Sequence, residues 1–445
     1  MTIDQNLTGT YSAPSPSLGE ATAAFARIGI LSFGGPAGQI ALMHRELVEE
    51  RDWLDEPRFL HALNYCMMLP GPEAMQLATY AGWLLKGTLG GLIAGLLFVL
   101  PGALLITILS AIYIVAGEVT IVQGLLFGLK AAVLAIVLEA LVKVSKRAIK
   151  GPAMVTIAVM AFVAIALLQI PFPVVILAAA ALGALGVAGN GKAAGDGAPV
   201  RDLPDWARPS WPRFVRTTAT WLAIWLLPLA ALYAVAGAQN VYTQQAGFFS
   251  VMAAVTFGGA YAVLAYVAQQ AVEIYGWLRP DEMLTGLGLA ETTPGPLLLV
   301  LAFVGFLGGA RLSGFEPLTG GIAGAVVTLW FTFVPCFLWI FAGAPYVETV
   351  RNVRWLANAL SAVTAAVVGV IANLAVWFGL HVLFGELSEV EAGPFRILLP
   401  ELATFDAAAA VIAVAAAVAL LRFHVNLIVV LAIAALAGMG WVLLR

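Results

Sequence analysis

The chain has 445 residues, of which 62% are hydrophobic and 11% are charged, and its formal net charge is −3. Soluble globular domains carry about 25% charged residues, so this composition excludes a soluble globular protein. The net charge itself says nothing about partners, and nucleic acid is not expected to be one. Apolar runs of about 18 residues or more recur along the chain, which predicts membrane-spanning α-helices. Their hydrophobicity is continuous, whereas the strands of a membrane β-barrel alternate.

The first transmembrane repeat is predicted over 21–188, after a polar N-terminal leader at 1–20. The leader lacks the apolar core of a signal peptide, so the first apolar run is expected to remain as a helix. The six helices of this repeat are predicted at 21–43, 60–85, 89–116, 119–141, 153–169 and 173–188.

A cytoplasmic linker rich in glycine, proline and basic residues is predicted at 189–216, followed by one connecting transmembrane helix at 217–237. The second transmembrane repeat is predicted over 246–445. Its six helices are placed at 246–269, 283–306, 318–343, 355–384, 406–421 and 425–443.

The two sets of six helices are related by an internal duplication. Three landmarks recur at a single shift of 224 positions with no gap between them, which is not expected by chance. The matching pairs are Ser32-Phe33-Gly34-Gly35-Pro36 with Thr256-Phe257-Gly258-Gly259-Ala260, Trp53-Leu54 with Trp277-Leu278, and Pro70-Gly71-Pro72 with Pro294-Gly295-Pro296.

The odd connecting helix makes the second set enter the membrane from the opposite side. The predicted fold is therefore an all-α integral membrane protein with about 13 transmembrane helices, arranged as two inverted homologous halves. Inverted repeats of this kind are typical of secondary transporters, which bind their substrate near the membrane midplane between the repeats.

The Gly-Gly and Pro-Gly-Pro motifs fall inside the predicted helices, at a depth of roughly 15–18 Å, close to the bilayer centre. Glycine loosens the backbone and proline removes a hydrogen-bond donor, so the helices are expected to be interrupted there. A helix that starts anew at such a break presents free N–H groups that attract anions. The alternative interpretation is that these residues only permit close helix packing.

Ionisable residues inside a membrane are costly and indicate function. Those within the predicted helices are Arg27, Glu73, Lys130, Glu139 and Glu291. Arg27 or Lys130 is expected to supply positive charge to an anion, and Glu73 to be its titratable partner. Structural roles are the alternatives: snorkelling for Arg27, a helix-cap charge for Glu73, and a surface ion pair with Lys143 for Glu139.

The two copies of the motif carry different polar groups. Leu297 stands where the first copy has Glu73, while Glu291, Thr292 and Thr293 precede the second Pro-Gly-Pro. A single asymmetric binding site is therefore predicted.

Cysteine and histidine give no sign of a metal or redox site. Cys66 and Cys336 lie in apolar runs and are expected to be buried free thiols, and the four histidines show no ligand spacing. No metal, cofactor, hydrolase motif or nucleotide-binding loop is predicted, so the chain is not expected to be an enzyme.

The distribution of basic residues predicts the orientation. With a cytoplasmic N-terminus, the inner loops hold 14 lysines and arginines, Arg279 among them, and the outer side holds six, as the positive-inside rule requires. The outer six include Arg45, Arg51, Arg58 and Arg311, and the first three form the one segment that fits the rule poorly.

Several motifs resemble the chromate ion transporter family, in particular its long, two-domain members, over nearly the whole chain. Met75 and Gly102 depart from residues that are common in relatives. The motifs that carry the resemblance are Phe33-Gly34-Gly35-Pro36-Ala37-Gly38-Gln39, Asn64-Tyr65-Cys66, Leu69-Pro70-Gly71-Pro72-Glu73-Ala74, Phe98-Val99-Leu100-Pro101, Phe257-Gly258-Gly259-Ala260-Tyr261 and Ala290-Glu291-Thr292-Thr293-Pro294-Gly295-Pro296.

The resemblance implies export of chromate across a bacterial cytoplasmic membrane, driven by the membrane potential or a proton gradient, with sulfate as an isosteric competitor. The expected partners are chromate, sulfate, protons and the lipid bilayer, and a homodimer is left open. The rival interpretations are a general sulfate or oxyanion permease on the same fold, a membrane-embedded enzyme, and a membrane scaffold without transport.

The predicted substrate site lies at the midplane, where the two motif copies are expected to meet. Burying a dianion there requires compensating charge or several N–H donors. The predicted site residues are Arg27, Ser32, Phe33, Gly34, Gly35, Gln39, Pro70, Gly71, Pro72, Glu73, Gln76, Lys130, Thr256, Gly258, Gly259, Glu291, Thr292, Thr293, Pro294, Gly295 and Pro296.

Overall fold

The computed structural model describes residues 16–187, 206, 208–257, 260–346, 354–393 and 395–445. Within these residues the chain forms 16 α-helices and a two-stranded antiparallel β-hairpin. The helices that are long and apolar enough to cross a membrane are Glu73–Ala116, Thr120–Ala148, Trp211–Ala236, Pro317–Tyr346, Trp355–Leu383 and Leu427–Leu444. The chain is thus a multi-pass, helical membrane protein.

The first copy contains seven α-helices, and a π-helical turn at Arg45–Glu50 follows the second of them. The helices are α1 (Leu18–Leu31), α2 (Gly35–His44), α3 (Glu56–Cys66), α4 (Glu73–Ala116), α5 (Thr120–Ala148), α6 (Pro152–Ala166) and α7 (Phe172–Ala184). A single helix, α8 (Trp211–Ala236), then leads to the second copy.

The second copy repeats this order at the shift of 224, and its π-helical turn at Gln269–Ile274 matches the first one residue for residue. Its elements are α9 (Val241–Val255), α10 (Ala260–Ala268), α11 (Pro280–Glu291), α12 (Val300–Leu312), α13 (Pro317–Gly343), α14 (Arg354–Leu383), β1 (Leu387–Ala392), β2 (Phe395–Pro400), α15 (Ala407–Leu421) and α16 (Leu427–Leu444).

The helices predicted as continuous at 21–43, 60–85, 246–269 and 283–306 are each two helices, with the breaks at or next to the Gly-Gly and Pro-Gly-Pro motifs. Proline and glycine at those positions account for the interruptions.

The predicted linker at 189–216 ends too late, because Trp211-Pro212 already starts α8, with proline in the first helical turn where it is well tolerated. Residues 189–205 and 207 of that linker lie outside the described residues.

The segment between the predicted helices 355–384 and 406–421, for which no regular structure is predicted, contains the hairpin β1–β2. Its strands pair antiparallel from Leu387 with Pro400 to Ala392 with Phe395. Arg396 on β2 forms ion pairs with Glu389 at 3.5 Å and Glu391 at 3.0 Å on β1. Charges that made this segment resemble a solvated loop are therefore cross-strand pairs.

Each broken helix folds back on itself as a hairpin. The Nε atom of Arg27 on α1 lies 3.2 Å from an Oε atom of Glu46, which follows α2. Had α2 continued in the direction of α1, about 1.5 Å per residue would separate these residues by more than 25 Å. The rings of Tyr65 on α3 and Tyr80 on α4 are likewise 5.8 Å apart across the Pro70–Pro72 break.

The second copy contains the same two hairpins. The ring of Phe249 on α9 lies 5.8 Å from that of Trp277, which follows α10 and its π-helical turn. Glu282 at the start of α11 binds Arg311 at the end of α12, at 2.6 and 2.7 Å. We call the pairs α1–α2, α3 with the first arm of α4 (73–85), α9–α10 and α11–α12 hairpins 1 to 4.

The helix α4 is itself folded. Lys86 and Gly87 have non-helical backbone angles, and Gly87 has φ +61°. Gly82 before this point packs directly against Gly90 and Ala94 after it, so the two arms of α4 run antiparallel. Small residues at this contact allow the backbones to approach closely.

The contacts at the bases of the hairpins show which helix ends lie on the same side of the protein. The His44 ring at the end of α2 binds the carboxylate of Glu56 at the start of α3, and it lies 5.1 Å from the ring of Phe59 on α3. The bases of hairpins 1 and 2 therefore lie together, at what we call the first-copy end. Arg279 and Arg311 both bind Glu282 and mark the opposite, second-copy end.

The orientation of single loops predicted from the sequence is wrong in two places. Arg45, Arg51 and Arg58 lie on the same side as the start of α1, because hairpin 1 returns to it. Arg279 and Arg311 were assigned to opposite sides, yet both contact one carboxylate. The error arises because a helix hairpin and a membrane-spanning helix have the same hydrophobic pattern.

The centre of the protein is formed by the first arm of α4 and by α12. Every residue from Ala74 to Leu84 and from Val300 to Ala310 is buried. Around this centre the copies exchange partners: α5 packs mainly against α15 and α16, whereas α14 packs against α6 and α7. Each copy thus completes the other.

Candidate functional site

Two matching hydrogen bonds join the copies at their helix breaks. The Gly71 N–H donates to the Thr256 carbonyl at 2.8 Å, and the Gly295 N–H donates to the Ser32 carbonyl at 2.8 Å. Each bond is the other's counterpart at the shift of 224. The hairpin tips therefore meet in two equivalent pairs, hairpin 2 with hairpin 3 and hairpin 4 with hairpin 1. We call this region, where the helix breaks of the two copies meet, the crossing.

The glycines at the crossing have backbone conformations that other residues rarely adopt. Gly71 has φ +119° and Gly295 has φ +96°, and the strain of such a φ favours glycine. A Cβ atom at Gly71 would also lie 2.9 Å from Nε2 of Gln76 and 3.0 Å from Sγ of Cys336. Glycine is required here both by conformation and by space.

Two glutamines bind the broken backbone, and both belong to the first copy. Gln39 on α2 donates to the Gly295 carbonyl at 2.6 Å and to the Ser32 carbonyl at 3.2 Å, so it ties the two copies together. Gln76 on α4 donates to the Pro70 carbonyl at 2.7 Å. Both side chains are buried, and the Oε1 atom of each lacks a protein partner.

The hydroxyl groups of the motifs bond to their own helices. Ser32 and Thr256 donate to the carbonyls of Ile28 and Met252. In the same way, Thr292 and Thr293 donate to carbonyls of α11. These hydroxyls close the ends of the helices before each break.

The helices after the first-copy breaks begin without a side-chain cap. Gly34, with φ +86°, precedes α2, and Pro72 precedes α4. Gly34 is exposed, and Phe33 and Gly35 are partly exposed. Helix starts of this kind present N–H groups and a positive dipole end, which suit an oxyanion. Gly258 and Gly259, their predicted counterparts, lie outside the described residues.

Glu291 lies at the C-terminal end of a helix, whereas Glu73 lies at the N-terminal end of one. Glu291 is the last residue of α11, and its side chain accepts a hydrogen bond from the Tyr261 hydroxyl at 2.7 Å. Glu73 is the first residue of α4 and is partly buried. A helix start stabilises a negative charge, whereas a helix end disfavours it.

Arg27 and Lys130, the predicted cations, are both paired with acids. Arg27 binds Glu46, which is fully buried and also contacts Arg51 at 3.3 Å. The Nζ atom of Lys130 lies 3.7 Å from a carboxylate oxygen of Asp281. Asp281 is at the start of α11, and the 12 residues of that helix separate it from the crossing. The structure therefore places Lys130 at the second-copy end.

Arg147 is the cation that the sequence did not indicate. It was counted with the inner loops, but its Nη2 atom lies 3.2 Å from the sulfur of Met67 at the tip of hairpin 2. Its charge also acts on Glu73. The residues lie 74 or more positions apart in the sequence, and only the antiparallel course of α5 brings them together.

Other polar residues at the site also escaped the sequence analysis. Glu46 falls between the predicted helices 21–43 and 60–85, although its counterpart at the 224 shift, Gln270, is also polar. Tyr261 was noted only within a motif. Among the described residues, no group of three or more His, Cys, Asp or Glu side chains is arranged to hold a metal ion. Cys66 and Cys336 are buried free thiols.

Comparison with known proteins gives a consistent match. The family model described as "Chromate transporter" matches residues 19–184 and 243–439. The chain is 28% identical to a "Probable chromate transport protein" of Synechococcus elongatus over 366 residues, 82% of this chain and 86% of that protein. It is 30% identical to a "Chromate transport protein" of Pseudomonas aeruginosa over 370 residues, 81% of each.

A shorter relative matches about one copy. The "Uncharacterized transporter YwrB" of Bacillus subtilis is 37% identical over 166 residues, which are 37% of this chain but 84% of that protein. No solved structure matches the chain.

Proposed function

This chain belongs to the chromate transporter family, a family of membrane transporters and not of enzymes, and we propose that it is a secondary transporter that exports chromate across a bacterial cytoplasmic membrane. Chromate transport is supported by the family and by the names of the relatives. Direction and driving force are part of the proposal: the membrane potential or a proton gradient drives a dianion outwards.

The observation that carries the mechanism is the pair of reciprocal bonds at the crossing, Gly71 to Thr256 and Gly295 to Ser32. They support two inverted repeats that meet at the substrate site, with the four hairpins re-entering the membrane from opposite sides. In this arrangement the first-copy end, which carries Arg45, Arg51 and Arg58, is cytoplasmic. The domains are then the repeats 21–188 and 246–445, with 217–237 between them.

Chromate would bind near the crossing. The uncapped starts of α2 and α4 would supply N–H donors, and Arg147 a positive charge, while Glu73 would limit the excess of positive charge. The bonds between the copies close this site in the present conformation. Alternating access would part the hairpin tips on one side and then on the other, as the buried polar groups exchange partners.

The direct test is chromate uptake into everted membrane vesicles, with and without an imposed pH gradient, and with excess sulfate. Energised uptake that sulfate inhibits is expected, because the two oxyanions have the same shape and charge. Movement of labelled sulfate without chromate uptake would instead identify a general oxyanion permease. Transport of neither ion would contradict the proposed function. Vesicles that carry Gly71→Leu, which cannot close the crossing, serve as the inactive control.

A further inference from the structure

We propose that Glu291, bound to Tyr261, is the site that takes up one proton when the oxyanion binds. The inference rests on the proposed function and names the coupling group within it. It concerns the second-copy side of the crossing, since Glu291 lies four residues before Gly295, whose N–H group binds Ser32.

The position of Glu291 is unfavourable for a permanent negative charge. Its side chain is 6% exposed, and a buried carboxylate needs a cation or several donors to remain ionised. It also ends α11, where the helix dipole repels an anion. Its hydrogen-bond partner is the neutral hydroxyl of Tyr261 at 2.7 Å. Protonation removes this cost.

The charged groups around Glu291 are few. Tyr261 faces it from α10, and Glu139 and Lys143 act on it from α5. Lys143 is 70% exposed and its Nζ atom is paired with Glu139 at 2.6 Å, so it does not neutralise Glu291. Tyr113 of α4 and His381 of α14 act instead on Glu282 and Asp281, at the other end of α11.

The first copy has no counterpart of the Glu291–Tyr261 pair. Met67 occupies the position of Glu291 at the shift of 224, and Ala37 that of Tyr261. The transporter therefore has one such acid although its backbone is duplicated. One proton per dianion follows, because a charged Glu291 repels the oxyanion from the crossing and a neutral one admits it. The transported unit then carries a single net negative charge, which a membrane potential negative inside expels.

The test measures proton uptake by the purified, full-length protein in weakly buffered detergent solution, on addition of sulfate or of chromate at a pH where both are dianions. The wild-type protein is expected to take up about one proton per bound anion. Glu291→Gln, which mimics the protonated acid, is expected to bind the anion without proton uptake and without dependence on pH. The exposed Glu118→Gln is the matched control and should behave as wild type.

Two further variants keep the proposal open to refutation if Glu291→Gln does not fold. Tyr261→Phe removes the donor that stabilises the charged carboxylate, so anion binding should weaken at a higher pH than in the wild type. An unchanged pH profile of Tyr261→Phe would overturn the proposal. Proton uptake that persists in Glu291→Gln would also overturn it. The same holds if Glu73→Gln, and not Glu291→Gln, abolishes proton uptake. Wild-type protein that binds neither anion would contradict the proposed function instead.

Discussion

Gln39 joins the two copies through a side chain that only the first copy has. Its amide binds carbonyl oxygens of Ser32 and Gly295, whereas the residue at the 224 shift is Val263. The residue types around the crossing therefore break a symmetry that the backbone keeps. An asymmetric site of this kind suits a substrate that binds in one orientation and a single coupling acid.

Replacement of Gln39 by valine tests the role of this bridge. The substitution removes the side-chain donor to the buried Gly295 carbonyl and one of the two donors to the Ser32 carbonyl, which keeps the Gly295 N–H. The cost is about 1–3 kcal/mol, and the hairpin tips are freed. We expect a lower melting temperature of the purified protein and a loss of chromate uptake. Val263→Ala is the control in the other copy. Full uptake by Gln39→Val would show that the bridge is not needed.

Arg147 offers a second test at the residue scale. Arg147 and its neighbour Lys146 are both exposed. Arg147 contacts Met67 at the tip of hairpin 2, whereas no ion pair of Lys146 is found among the described residues. Arg147→Gln is expected to weaken chromate binding at least tenfold, since about 1.4 kcal/mol corresponds to a factor of ten. Lys146→Gln removes the same charge one position away. Equal effects of the two substitutions would contradict a specific role for Arg147.

The sequence predicts much of the crossing but little of its charge. The Gly-Gly and Pro-Gly-Pro motifs identify the breaks because glycine and proline affect the backbone locally. The partners of Lys130 and Arg147 cannot be predicted in this way, since Asp281 and Met67 are remote in the sequence. Such pairings depend on how whole helices pack against one another. The hydrophobic periodicity of a single sequence does not predict that packing.

At the scale of elements, the course of the chain after each break decides the architecture. A helix that continues through the membrane and a helix hairpin that returns have the same apolar pattern. The segments 21–43 and 283–306, predicted as membrane-spanning helices, could therefore not be distinguished from hairpins. The contacts of Arg27 with Glu46 and of Glu282 with Arg311 identify hairpins. The β-hairpin is not predicted for a related reason, because the charged residues that form its cross-strand ion pairs are equally typical of a solvated loop.

Cysteine labelling distinguishes helix hairpins from membrane-spanning helices. In a background without Cys66 and Cys336, single cysteines at Arg51 and Lys86 are expected to react with a membrane-impermeant maleimide from the same side of the membrane, because hairpins 1 and 2 both return there. A cysteine at Glu391 in β1 should react from the opposite side. Labelling of positions 51 and 86 from opposite sides would contradict the hairpins.

At the scale of the whole molecule, the two copies are interdependent. Gly128 on α5 lies against Ala434 of α16, and Gly183 on α7 against Asn358 and Ala359 of α14. The helix α5 of the first copy thus packs against the last two helices of the second, and α14 of the second copy packs against the last two helices of the first. An isolated copy would expose these apolar faces and the unpaired N–H groups of its own break. A relative the size of one copy, such as YwrB, would need a second chain to cover them.

Expression of the chain as two fragments, divided in the linker after Asn190, tests this interdependence. Each fragment alone is expected to be degraded or to aggregate, whereas the two expressed together should copurify and restore chromate uptake. Gly128→Leu, which inserts a side chain where the Ala434 carbonyl lies, should prevent copurification. Gly151→Leu is the matched control, because no atom lies within 4 Å of a Cβ at that position. A fragment that is stable and monodisperse alone would show that the copies fold independently, and the reciprocal bonds at the crossing would then be a docking contact between two finished units.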